Sequence, residues 1–174
     1  LLLLRKWIPM SSKVISFSLA EKSINDAIKQ LVAYKQWIEQ KTLELCRKLA
    51  EMGATQVSIG YSRAIYTGKK DISVTVEANS KGYSILANGE SLLFCEFGTG
   101  VTYGYGHPQA GEFGMGPGTY PSDKGHWDDP KGWYIPQSAG GGHTYGNPPN
   151  PVMYQTARDL EKAIKLVAQE VFSK

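Results

Sequence analysis

The chain of 174 residues is short of cysteine, of long apolar runs and of excess charge. Its two cysteines, Cys46 and Cys95, are too few for a disulfide framework and do not form a CxxC zinc pair. A reducing compartment is therefore the simpler interpretation. No apolar run is long enough for a membrane-spanning helix, so we expect no membrane partner. The net charge of +3 disfavours nucleic acid as the main ligand, because such binders usually carry a clustered basic excess.

The first nine residues are unlike the start of a folded domain. Four leucines precede Arg5 and Lys6, whereas a signal peptide places its charges before the apolar stretch. Met10 and the residues after it read as an ordinary start. We interpret 1–9 as sequence upstream of the natural start or added to it, with a short extended arm as the alternative. Residues 10–174 then have the length of one domain.

Apolar residues recur every seven positions in the first third of the chain. They are Ile24, Leu31, Ile38, Leu45 and Met52, with Ile28 and Leu49 on the same side. This spacing predicts a helix over about 22–52, ending at Gly53. Lys35 and Thr42 interrupt the second apolar register. Such a helix either lies across a sheet with one buried stripe or, because it is longer than a small sheet, packs partly on another subunit.

Short segments with apolar alternation indicate strands that follow this helix. A short strand is also predicted before it, and the set is 14–19, 56–67, 72–78 and 83–87. The last three predict an antiparallel meander with one apolar face. The pair Asn88–Gly89 suits a tight hairpin turn. Residues 91–97 are too uniformly apolar for a surface, and their periodicity fits either a buried strand or a helical turn.

The chain ends in a second helix, predicted over 151–172. One apolar stripe runs along it, formed by Met153, Ala157, Leu160, Ile164, Val167 and Val171. The expected fold class is therefore α+β. A long N-terminal helix and a C-terminal helix pack on a small antiparallel β-meander, and a long loop rich in glycine, proline and aromatic residues interrupts this single domain at 98–150.

This loop cannot form a core of its own. It holds 14 of the 19 glycines and 7 of the 9 prolines, and aliphatic side chains are nearly absent from it. Loops of this length in compact domains are commonly functional or disordered, and the aromatic content argues against plain disorder. Aromatic side chains are enriched at protein interfaces. We therefore predict a partner or oligomer interface at Tyr103, Tyr105, His107, Tyr120, His126, Trp127, Trp133, Tyr134 and Tyr145.

The loop also raises the question of catalysis. His107, His126 and His143 share it with Asp123, Asp128 and Asp129, which are residue types that bind zinc or manganese. Their spacing matches no HExxH motif, so we expect no metal at these residues. Neither a GxSxG nucleophile motif nor a P-loop ending is present, and Cys95 reads as a buried structural thiol. The alternatives are a metal-dependent or cell-wall-directed enzyme using the loop histidines, and sugar binding by aromatic stacking.

Two motifs resemble a known family. They are Glu96-Phe97-Gly98-Thr99-Gly100 and Asn147-Pro148-Pro149-Asn150-Pro151-Val152-Met153-Tyr154, which flank the loop between the helices. Their order resembles the minor structural proteins that join head to tail in tailed bacteriophages and prophages, the tail-completion or neck family. The resemblance covers about 10–174. The long loop, with its segments 116–121 and 125–133, looks like a prophage branch, since many relatives have a much shorter one.

The resemblance implies an assembly role without catalysis or cofactor. It implies a ring-forming homo-oligomer between the portal-side adaptor or head connector and the tail tube or tail terminator. It places the protein in the virion, and in the host cytoplasm during assembly, with DNA only as passing cargo. The motif at 96–100, with a bulky aromatic residue and then Gly-Thr-Gly, predicts an anchored chain reversal where the core ends and the loop begins. We expect the structural junction at Glu96, Phe97, Gly98, Thr99, Gly100, Pro149, Met153 and Tyr154.

Overall fold

The computed structural model describes residues 14–100, 103, 106–115 and 129–173. Its mixed α+β architecture confirms the predicted fold class, with long N- and C-terminal helices and a small antiparallel sheet. The elements in chain order are α1 (Glu21–Arg63), β1 (Ser73–Asn79), β2 (Gly82–Asn88), α2 (Leu92–Phe97), β3 (Trp133–Tyr134), β4 (His143–Thr144) and α3 (Val152–Phe172). Two single 3₁₀ turns, Ala110–Phe113 and Gln137–Ala139, lie in the loop.

The first helix is longer than predicted. α1 has 43 residues and continues through Gly53 and Gly60, so the predicted end at Gly53 and the strand at 56–67 are wrong. Gly53 is buried where β2 and α3 cross the helix, and a Cβ there would lie 2.8 Å from Leu160 Cδ1. Packing therefore selects glycine at this position, and the burial of one helix face outweighs its poor helix propensity.

The sheet is a two-stranded hairpin and lacks the third strand of a meander. β1 and β2 pair antiparallel from Ser73↔Asn88 to Asn79↔Gly82, and the Lys81 N–H donates to the Asn79 side chain across the turn. Residues 14–19 form no strand. The pair Asn88–Gly89 makes no hairpin either, because the chain enters α2 directly after it. The apolar segment 91–97 thus contains a short helix.

α3 runs antiparallel to α1 and covers only part of it. Val152 packs on Gly60, and at the other end the Phe172 ring meets the edge of Trp37 at 5.8 Å. An ion pair of 2.7 Å joins Lys48 to Glu170 between them. The first four turns of α1 therefore extend past the end of α3.

The apolar stripe of α3 differs in part from the predicted one. Val167 and Val171 are buried, as expected, but Ala157 and Ile164 are exposed and Thr156 is buried in their place. The buried face of α3 is the one that packs on α1, and Thr156 lies on it beside Gly53.

The core is small and lies at the C-terminal end of α1. Val57, Tyr61 and Cys95 are fully or nearly fully buried at its centre. Around them pack Tyr66, Ile72, Val74, Ile85, Ala87, Leu92, Val152 and Met153. Among the described residues, no helix combines the length and apolarity needed to cross a membrane. Every element that borders the loop reaches this core.

Candidate functional site at the Glu96 junction

The buried carboxylate of Glu96 joins four parts of the chain. It lies in α2 and accepts the Tyr61 hydroxyl of α1 at 2.7 Å and the His107 Nε2 of the loop at 3.2 Å. It also accepts the first backbone N–H groups of α3. These are Val152 at 2.8 Å, Met153 at 3.1 and 3.2 Å, and Tyr154 at 3.3 Å.

Glu96 thus serves as the N-terminal cap of a helix 56 residues away in the sequence. The first N–H groups of a helix have no partner within it and carry partial positive charge, so a carboxylate is the best acceptor there. Pro151, at the cap position of α3, has no side-chain hydrogen bond to offer. Burial and the adjacent Glu96 carboxylate raise the pKa of Tyr61, which keeps its hydroxyl protonated as a donor.

His107 is held in one tautomer. Its Nδ1 accepts the Gln109 N–H at 3.0 Å, so its Nε2 carries the hydrogen that points to Glu96. The imidazole is 3% exposed and packs at 4.5 Å from the Phe97 ring and 5.7 Å from the Tyr154 ring, measured between ring centroids. His107 therefore ties the start of the loop to the core. The sequence predicted His107 at a partner or oligomer interface, whereas the structure buries it within its own chain, where it bonds to Glu96.

The glycines of the motif form the chain reversal that the sequence predicted. Gly98 has a φ of +75°, and a Cβ there would lie 2.6 Å from the Pro149 nitrogen. Thr99 and Asn147 exchange both backbone hydrogen bonds, at 3.0 and 3.1 Å, and the Thr99 hydroxyl donates to the Asn147 side chain at 2.7 Å. The start and the return of the loop are therefore paired, and Gly98 and Pro149 are in close contact.

Two asparagines complete the junction. The Asn147 amide donates to the Phe94 carbonyl at 2.8 Å, and the Asn150 amide donates to the Cys95 carbonyl at 3.3 Å. These carbonyls lie at the C-terminal end of α2 and also accept backbone N–H groups, from Gly98 at 3.0 Å and from Asn150 at 2.9 Å. The asparagine amides therefore add a second hydrogen bond to each carbonyl. Asn150 also exchanges hydrogen bonds with the backbone of Ile65, the second residue after α1. The segment 147–150 therefore connects the ends of α1 and α2 to the start of α3.

A cavity of about 250 Å³ opens beside the junction. Its walls are mostly apolar, with Leu93 and Phe113 at its exposed rim and Phe97, Met153 and Tyr154 deeper inside. The Glu96 carboxylate also borders it, but hydrogen bonds already engage both of its oxygens. The cavity has the character of a site for an apolar side chain.

Aromatic rings form an exposed row on the short β3–β4 hairpin. The His143 ring lies 4.9 Å from both Tyr134 and Tyr145, in edge-to-face contacts. Tyr134 is 78% exposed and Tyr145 57% exposed. Trp133, which precedes Tyr134 and pairs with Thr144, is buried. The structure therefore places Trp133 among the buried residues of its own chain, and its assignment to a partner or oligomer interface stays a prediction.

The remaining predicted loop residues divide into two groups. Tyr103 is described and is 38% exposed. The others lie outside the described residues, namely Tyr105, Tyr120, His126 and Trp127, together with the metal candidates Asp123 and Asp128. Within the described residues, no three histidine, cysteine or acidic side chains come together as metal ligands. Of the described histidines, His107 is committed to Glu96, and His143 lies in the aromatic row.

The cysteine beside Glu96 is a packed thiol, as the sequence indicated. Cys95 is completely buried, and this burial raises its pKa to about 11. The thiol is therefore protonated at neutral pH and a poor nucleophile.

Comparisons with protein-family models, with curated proteins and with solved structures find no match for this chain. The geometry of the junction and of the aromatic row therefore carries the functional argument. Sequence reasoning missed Tyr61 as a partner of Glu96, and it missed the bonds of Asn147 and Asn150 to the ends of α2 and α1. The one available signal was the pair of asparagines that flank two prolines, a residue type that bonds to nearby backbone.

Proposed function

We propose that this chain is a structural protein of the head–tail junction of a tailed bacteriophage or prophage, acting in tail completion as a ring-forming homo-oligomer. Its neighbours would be the portal-side adaptor or head connector and the tail tube or tail terminator. The proposal starts from the order of the Glu-Phe-Gly-Thr-Gly and Asn-Pro-Pro-Asn-Pro motifs. It is supported by the way these motifs meet around Glu96 and hold the loop.

The observation that carries the proposal is the exposed aromatic row of Tyr134, His143 and Tyr145. Aromatic side chains of this kind contribute much contact area with few rotatable bonds, which suits a protein interface. Their backbone is fixed by the β3–β4 pairing and by buried Trp133. Because these residues are ordered before a partner arrives, binding costs less conformational entropy.

The Glu96 junction supports the same role by fixing the position of this row. It links α1, α2, the loop and α3 through hydrogen bonds to one carboxylate. A ring subunit needs a defined angle between the surface that meets its neighbour and the body that carries it, because only one angle closes the ring. The junction supplies such a fixed connection between the loop and the helices.

The test is a phage or prophage assembly assay with the double variant Tyr134→Ser/Tyr145→Ser. We expect it to fold and melt like the wild type, because both side chains are exposed, and to leave heads and tails unjoined in electron micrographs. The matched control is Leu166→Ser, which removes an equally exposed apolar side chain from α3. The proposal fails if the double variant joins heads to tails normally, or if purified virions lack the protein.

A further inference from the structure

The N-terminal half of α1 carries an apolar stripe that the rest of the described chain leaves partly exposed. We call it the α1 stripe, and its members are Ile24, Ile28, Leu31, Val32 and Ile38. They are between 36% and 56% exposed. α3 ends where Phe172 meets Trp37, and Trp37 lies on another side of the helix from the stripe.

The stripe has the spacing of a coiled-coil seam. Ile24, Leu31 and Ile38 repeat every seven residues, and Ile28 lies four residues after Ile24. The seven-residue series that starts at Ile24 continues to Leu45, and the one that starts at Ile28 continues to Leu49. Both leucines are half-buried against the rest of the protein. A heptad stripe is complementary to another copy of itself, because the side chains of one helix fit between those of the other.

We propose that the α1 stripe binds the α1 stripe of a second copy of this chain, in an antiparallel two-fold pair. Lys35 decides the direction. In a parallel, in-register pair the two Lys35 ammonium groups would face each other at a core position. In an antiparallel pair centred near residue 33, Lys35 lies against Leu31 of the second copy. Its ammonium, 3.8 Å from the Glu39 carboxylate, stays at the edge with its countercharge.

The size of this contact sets its strength. Residues 24–42 span about 27 Å of helix at about 1.5 Å per residue. Two helix faces of that length bury on the order of 1,000 Å², which is near the lower limit for a specific protein interface. We therefore expect a reversible dimer that forms at micromolar concentrations and dissociates on dilution.

This inference goes beyond the proposed ring and does not depend on it. A two-fold contact uses the same surface on both copies and cannot by itself propagate around a ring. The ring would need a second, different contact, for which the aromatic row is the candidate. The pairing of α1 stripes accordingly concerns the free protein in solution, and it can be tested without virions.

Sedimentation velocity of the full chain over a range of concentrations tests the pairing. We expect a monomer–dimer equilibrium that Leu31→Glu abolishes. The matched control is Gln40→Glu, which adds the same charge to an exposed position on the opposite face of α1 and should leave the equilibrium unchanged. Lys35→Leu should tighten the dimer by about tenfold or more, since it replaces a charge at a core position. This variant keeps the test valid if Leu31→Glu misfolds.

Disulfide cross-linking tests the direction, with Cys46→Ser as background. In an antiparallel pair, a disulfide forms when the Leu31→Cys variant is mixed with the Lys35→Cys variant, and neither variant forms one with itself. In a parallel pair, each of the two variants forms a disulfide with itself. Efficient cross-linking of either single variant overturns the antiparallel arrangement. A monomeric wild type overturns the pairing altogether. If Leu31→Glu then lowers the melting temperature of that monomer, residues 1–13 of the same chain are the occupant.

Discussion

Replacing the buried Glu96 by alanine should destabilise the protein strongly. The substitution removes the acceptor of the Tyr61 hydroxyl, of His107 Nε2 and of three backbone N–H groups at the start of α3. Solvent reaches the site poorly, because the Glu96 and His107 side chains are 7% and 3% exposed. The donors would therefore stay buried without partners.

The expected cost follows from these donors. Each buried side-chain donor left without a partner costs about 1–3 kcal/mol. Loss of a helix cap adds about 0.5–2 kcal/mol. Two such donors and one cap give a loss of about 2.5–8 kcal/mol, a large share of the free energy of unfolding of an ordinary domain, which is about 5–15 kcal/mol.

Two further variants give an expected order of effects. Glu96→Gln keeps the shape of the side chain but replaces one accepting oxygen by an NH₂ group, which faces other donors and cannot accept from them. It should lower the free energy of unfolding by about 2 kcal/mol. Tyr61→Phe removes one donor while Val152 and Met153 still satisfy the same Glu96 oxygen, and should cost about 1 kcal/mol. Glu77→Ala, on the exposed face of β1, is the matched control and should cost little.

Urea unfolding followed by circular dichroism measures these differences, provided that the dependence on urea stays the same among variants. The reasoning is refuted if Glu96→Ala unfolds within about 1 kcal/mol of the wild type, which is the scale of an ordinary surface substitution. It is also refuted if Glu96→Gln is as stable as the wild type, because the negative charge would then be unnecessary for capping α3.

Three further predictions concern the junction, the packing of α3 on α1, and the stability of the protein at low pH. Phe97→Ala should lower the free energy of unfolding by about 3–5 kcal/mol, as for a buried phenylalanine. Gly98→Val should fail to fold, because its Cβ would lie 2.6 Å from the Pro149 nitrogen. A melting temperature equal to that of the wild type would contradict either prediction. Gly53→Val should lower the free energy of unfolding by about 1–3 kcal/mol despite a better helix propensity, because its side chain would overlap Leu160, and a more stable variant would show that α3 can shift. The Ser91 hydroxyl and the backbone N–H groups of Ser91 and Glu90 lower the pKa of Asp71 from 3.8 to about 2, so this stabilisation is complete above about pH 4 and lost as the pH falls toward 2. Asp71→Asn should therefore reduce the acid dependence of urea unfolding between pH 4 and 2, and an unchanged dependence would count against the assignment.

The amino-acid pattern was sufficient for the elements that bury a regular face. The α3 helix and the β1–β2 hairpin follow from periodicities of 3.6 and 2, because each has one side against the core. The motif at 96–100 also predicted a chain reversal at the loop entrance. Gly98 adopts the positive φ that this requires.

The course of α1 beyond Gly53 was decided by tertiary packing. Residues 56–63 contain β-branched and aromatic side chains that locally favour a strand. They are helical because Val57 and Tyr61 then face the core together, and because Gly53 and Gly60 leave room for Leu160 and Val152. Neither contact is visible from neighbours in the sequence.

The junction itself shows where sequence reasoning ends for this protein. The sequence showed an acidic residue at position 96, two residues before Gly98, and predicted that it belongs to the structural junction. Its role was not, since its partners lie 35 residues before it, 11 after it and 56 to 58 after it. Local sequence determines which backbone conformations are favourable, whereas the cost of burying a charge is met only by groups that the fold brings together from distant positions. Glu96 is a helix cap for that reason, and only the tertiary structure could assign it.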